Sequence, residues 1–124
     1  MQVSKERRAA IGDAVMRLER ELYGRGPSLI RVSVSDSQPD VITVLSVDTL
    51  TSADRTLVQQ GMVASVVSHH QAIHQATARY FCEEIETLVG RGPVSYMAQV
   101  DPGTGYAVRV FVFEDEVAGG EAPA

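Results

Sequence analysis

The sequence predicts an α+β domain in the order α-β-β-α-β-β, with a four-stranded, mainly antiparallel sheet and its helices on one face. Three observations predict it. Two amphipathic helical stretches each close in the same tetrapeptide, Gly24-Arg25-Gly26-Pro27 and Gly90-Arg91-Gly92-Pro93. Each tetrapeptide is followed by two β-prone runs separated by turn formers. The second set follows the first at an offset of 66 positions without a gap, which raises the expectation of an internal duplication.

The first helix is expected over 4–23. Ile11, Val15, Leu18 and Leu22 recur at the spacing that lines one helical face. Ser4 is placed to cap its start, and Gly24 to end it in the left-handed conformation. Pro27 then prevents the helix from resuming. In the first strand Ile30, Val32 and Val34 alternate with Arg31, Ser33 and Ser35, the period of a half-buried strand. Asp36 to Asp40 is dense in turn formers, and 41–47 returns as a strand that is apolar on both faces.

Thr51 opens the next helix with a capping box in which Asp54 replaces the usual Glu. Helical character then runs to Val89 without a proline, a stretch of roughly 55 Å at 1.5 Å per residue. A break is expected at Gly61 or at Ser68-His69-His70-Gln71. Ile73, Phe81, Ile85 and Leu88 supply the apolar contacts of its second half. After Pro93, Val94, Tyr96, Ala98 and Val100 alternate with polar neighbours and Met97; Asp101 to Gly105 forms a turn, and 106–113 is the most β-prone run of the chain. Residues 1–116 are expected to form one domain, and 117–124 a disordered acidic, Gly- and Ala-rich tail.

Length and composition bound the function. The chain has 124 residues, enough for one core and too few for two ordinary domains. A formal net charge of −5 disfavours nucleic acid as a partner. The single cysteine, Cys82, fits a reducing compartment and a buried, inert thiol. The start is polar, and no run approaches the roughly 20 apolar residues of a membrane span, so a cytoplasmic location is expected.

The tetrapeptides invite a phosphate-binding reading, but phosphate loops precede helices, where free N–H groups face the anion. These follow helices. Arg25 and Arg91 are therefore read first as cations complementing the negative helix ends. With Arg79 they are also the candidates for a small-anion or nucleotide sensor, if Arg25 and Arg91 converge. His69, His70 and His74 cluster on the long helix, and His70 and His74 share a face at the spacing of two metal ligands. No third ligand is legible, so a solvated polar face is the first expectation and a metal-dependent enzyme or sensor the alternative. No cofactor and no catalytic constellation is implied.

A first helix closing in Gly24-Arg25-Gly26-Pro27 leads through a hairpin to Leu50-Thr51, Asp54 and Leu57. A long helix with Arg79 and Phe81 follows, then Gly90, Val94, Asp101 and a closing strand with Phe111 and Phe113. This arrangement resembles the MpsC-like domain, a small bacterial family, over roughly residues 5–115. The family usually has Glu at the position of Asp54, and a second loop less glycine-rich than Gly90–Pro93. The resemblance implies a soluble accessory or regulatory part of a Na⁺-translocating, membrane-potential-generating system, with a membrane transport protein as partner, and it brings no catalytic residues. A sheet apolar on both faces, covered by helices on one, predicts a homo-oligomer, most simply a homodimer.

Overall fold

The computed structural model describes residues 1–115, so the expectation of a disordered tail over 117–124 lies outside the described residues. Seven elements follow in order: α1 (Lys5–Tyr23), β1 (Leu29–Val34), β2 (Val41–Val47), α2 (Ser52–Gln59), α3 (Val63–Val89), β3 (Ser95–Asp101) and β4 (Tyr106–Val112). The strands form one sheet in the order β1-β2-β4-β3, and every neighbouring pair is antiparallel. Two hairpins thus meet through their second strands. An offset of 66 carries β1 onto β3 and β2 onto β4 to within a residue, but α3 has 27 residues against 19 in α1.

Local chemistry sets the element ends. The Ser4 side chain accepts from the Arg7 amide, and Gly24 closes α1 at φ 77°. At α2 both halves of the capping box are made: the Asp54 amide donates to Thr51 Oγ1, and the Thr51 amide donates to Asp54 Oδ2, each at 3.0 Å. The long helical stretch breaks at Gly61, φ 76°, and not at the histidines. Only glycine reaches that conformation without strain. Gly90, φ 79°, closes α3 with its amide on the Glu86 carbonyl.

Strand parity and register place the core. Ile42, Val44 and Ser46 share a face with Ala107, Arg109 and Phe111, paired Ile42↔Phe111, Val44↔Arg109 and Ser46↔Ala107. Ile11, Val15 and Leu18 of α1, and Phe81 and Ile85 of α3, cover this face together with Phe113. A smaller cluster of Leu50, Val66, Val100 and Ala107 seats the start of α3. Leu22, expected on the apolar face of α1, is 36% exposed, and Glu19 is buried in that seam instead.

Candidate functional site

The largest fully buried side chain among the described residues is that of Arg109, in the middle of β4. Alternation along the strand forces it inward, between Ala107 and Phe111. Its Nη1 donates to Glu19 Oε1 of α1 at 2.6 Å, and its Nε donates to Tyr96 Oη of β3 at 3.1 Å. Its guanidinium lies 4.1 Å from the Phe81 ring centroid and 5.3 Å from that of Tyr23. Glu19 is itself buried. Helix, strand and edge strand thus converge on one ion pair in an apolar interior.

A chain of polar groups continues from it along α3. Tyr23 Oη lies 2.5 Å from His74 Nδ1 and 3.4 Å from Thr77 Oγ1. His70 Nε2 lies 2.9 Å from Asp54 Oδ2, the carboxylate that also completes the α2 cap. His70, His74 and Thr77 occupy the buried seam of α3, in line with Val66, Phe81 and Ile85. The expectation of a solvated histidine face is therefore corrected: His70 and His74 are 5% and 4% exposed, and His69 alone faces outward.

Burial and charge set the protonation of these groups. Desolvation, with Arg109 and His70 nearby, pushes His74 down to about 4, so its ring is neutral at pH 7. Burial pushes Tyr96 up to about 12. For Asp54 burial opposes the charge, but hydrogen bonds from His70 and from the Thr51 amide outweigh it and hold the carboxyl below its ordinary range. Four buried polar atoms of the core have no hydrogen-bond partner among the described residues: Glu19 Oε2, Arg109 Nη2, His74 Nε2 and Ser46 Oγ.

The predicted sites fare differently. His70 and His74 have ring centroids 6.0 Å apart, but each turns a nitrogen to its own partner, Asp54 and Tyr23. Among the described residues no group of three His, Cys, Asp or Glu is assembled to hold a metal. Arg25 and Arg91 do not converge. Arg25 donates to Asp48 Oδ2 at 2.6 Å and to the Asp48 carbonyl, beyond one end of β2. Arg91 donates to the buried Asp40 at 2.7 Å and to the Glu114 carbonyl, beyond the other end. The seven residues of β2 separate the two sites by about 23 Å.

The two arginines thus act as side-chain ties between a helix-end loop and a strand end, rather than as simple dipole caps. Asp48 takes φ 61°, a strained angle for a non-glycine residue, and is held there by Arg25 and by Arg55, whose Nη2 donates to Asp48 Oδ1 at 2.5 Å. Arg79 lies exposed on α3, 3.8 Å from Glu83 and stacked on Tyr80. Cys82 is half-buried against the core, and desolvation raises its thiol.

Sequence reasoning missed Glu19, Tyr23, Tyr96 and Arg109. The signal for Arg109 was its parity with Phe111 and Phe113. For the histidines it was their place on the Val66–Phe81–Ile85 line.

No helix among the described residues is long and apolar enough to cross a membrane. No curated protein and no solved structure matches the chain. Residues 4–115 match the family model described as Na⁺-translocating membrane potential-generating system (MpsC), and the chain belongs to that family.

Proposed function

We propose that this member of the MpsC family is a non-enzymatic accessory or regulatory module, that residues 1–116 act as one domain, and that it works as a homodimer. On this reading it acts from the cytoplasm on a membrane transport protein of a cation-driven, membrane-potential-generating system. The family description supports the link to that system. The observation that carries the dimer is the sheet face turned away from Arg109. By parity and register Val41, Leu45 and Val47 of β2 lie there beside Val108, Val110 and Val112 of β4.

Leu29 on β1 and Met97 on β3 extend the patch and are 46% and 53% exposed. Both helices that anchor Arg109, α1 and α3, contact the opposite face. Thr43, Arg31 and Gln99 share this face, but its apolar residues predominate, and such a face is covered most simply by its own symmetry mate, face to face about a twofold axis.

The test is physiological. Membrane potential driven by Na⁺ is measured in cells carrying the family's transport system, with this chain deleted and then restored. Deletion is expected to lower the potential. The wild-type chain restores it, and Val110→Lys, which places a charge in the centre of the open face, does not. A potential indifferent to the deletion contradicts the accessory role.

A further inference from the structure

The outer strands β1 and β3 each pair with one neighbour among the described residues, so each leaves a free edge. Hydrogen-bonding parity tells which backbone groups line the edge of β3. The Phe113 amide donates to the Asp40 carbonyl at 2.9 Å, so Phe111, Arg109 and Ala107 of β4 turn their backbone groups to β2. Val108, Val110 and Val112 then turn theirs to β3, where they meet Gln99, Met97 and Ser95. The Val94 amide, on the Val112 carbonyl at 2.8 Å, keeps to the same side. The N–H and C=O groups of Tyr96, Ala98 and Val100 therefore point out of the sheet, at intervals of roughly 7 Å. No side chain or loop among the described residues hydrogen-bonds to them.

Natural sheets blunt such an edge with a lysine, a proline, a bulge or a very short strand. β3 has none of these. It pairs with β4 in unbroken register over seven residues and is uncharged from Ser95 to Val100. The opposite edge differs, because β1 carries Arg31 near its centre.

A wall stands beside the β3 edge. Gln71, Gln75 and Ala78 of α3 flank a groove with Tyr96 and Ala98, and Val67 flanks its continuation with Gln99 and Val100. The four helix residues follow the i, i+4, i+8, i+11 spacing of one helical stripe, so the wall runs along the strand. A strand edge beside a helix wall suits the addition of an extended segment, in which main-chain bonds give affinity and alternate side chains give selectivity.

Charge selects the segment. None of these wall and edge residues is charged, and Arg109, which donates to Tyr96, is already neutralised by Glu19. A charged side chain turned towards α3 would lose water without gaining a counter-ion. Gln71 and Gln75 are exposed and offer amides to a hydroxyl side chain.

We propose that β3 accepts an extended, uncharged segment of the membrane transport protein as a fifth strand, bonded to Tyr96, Ala98 and Val100 and flanked by α3. The source of the segment rests on the proposed accessory role; the acceptance of a strand rests on the edge alone.

The probe is the synthetic peptide acetyl-Thr-Val-Thr-Gln-Thr-Val-Thr-amide, titrated into the isotope-labelled wild-type chain and followed by NMR. Saturable shifts are expected at Tyr96, Ala98 and Val100. Saturating peptide should slow hydrogen exchange at these three amides about tenfold, while Met97 and Gln99, already bonded to β4, change little. Ala98→Pro removes one outward donor and leaves the β3–β4 ladder intact, and should weaken binding about tenfold, the loss of one hydrogen bond. If circular dichroism shows that variant unfolded, a peptide with Pro-Pro in place of the central Gln-Thr decides, and it should not bind the wild-type chain. Four results each overturn the proposal: no saturable binding by the wild-type chain, protection that spares Tyr96, Ala98 and Val100, undiminished binding by folded Ala98→Pro or of the Pro-Pro peptide, or tighter binding of an alternating Lys-Glu peptide of the same length. The titration contains no transport system, so its failure leaves the accessory role standing, and a membrane potential indifferent to deletion leaves the strand addition standing.

Discussion

The two faces of the sheet differ in where they bury charge. The face under the helices holds an ion pair, Arg109 with Glu19, at almost zero exposure. The face away from the helices is set mainly with Val41, Leu45, Val47, Val108, Val110 and Val112, with Thr43 and the exposed Arg31 among them. Replacing a buried ion pair by well-packed apolar residues is often neutral or stabilising, so burial of this one is poorly explained by stability. Of the groups around it, His74 is lowered and keeps a buried nitrogen without a partner among the described residues, and Tyr96 is raised. The open face has no such feature and is suited to contact with another apolar surface. The inward face thus carries the buried charge, and the outward face is the surface on which the proposed association rests.

The sharpest way to break this comparison is to remove one charge from the inward face. Arg109→Ala leaves Glu19 ionised and buried, and should destabilise the chain by about 3–5 kcal/mol in urea unfolding. The paired change Arg109→Met with Glu19→Leu should recover most of that loss. A single variant as stable as the double would mean that the ion pair carries no structural weight.

Acid comes next in size. His74 is pushed down to about 4 in the folded chain and has an ordinary value of 6.5 unfolded. The unfolded state therefore takes up the proton first, and stability falls as pH drops from 6.5 towards 4. The expected loss is about 3 kcal/mol over that window. His74→Phe should flatten it. Asp40 and Asp54 are held below 3.8, Asp40 chiefly by the Met1 amino group and then, against burial, by Arg91. Their contributions are present above the unfolded value near 3.8 and are lost at still lower pH, so the two windows separate in a pH series of unfolding curves.

The smallest effect tests the junction that ties α2 to the polar chain. Thr51→Ala removes the acceptor of the Asp54 amide, and should lower stability by about 1 kcal/mol in the same assay. A loss several times larger would show that the cap organises the His70–Asp54 pair as well as the helix end.

Much of the fold was legible because its signals are local. Ser4 and Gly24 bound α1, Thr51 and Asp54 announce α2, and period-two alternation marks the strands. The inward site was hidden for the opposite reason. Glu19 and Arg109 stand 90 positions apart, and nothing in either neighbourhood names the other. Residue type also misled: His70 and His74 fall on a core-facing line, but a polar type argued for solvent. Arg25 and Arg91 share a tetrapeptide, and their partners, Asp48 and Asp40, follow from where β2 begins and ends, which only the assembled sheet reveals.

The division between the two faces is tested most directly by multi-angle light scattering on the purified chain over micromolar concentrations. The outward face as an association surface predicts a species of twice the 13.4 kDa chain mass, converted to the single-chain mass by Val110→Lys without loss of fold. A clean monomer of the wild-type chain throughout that range would contradict it.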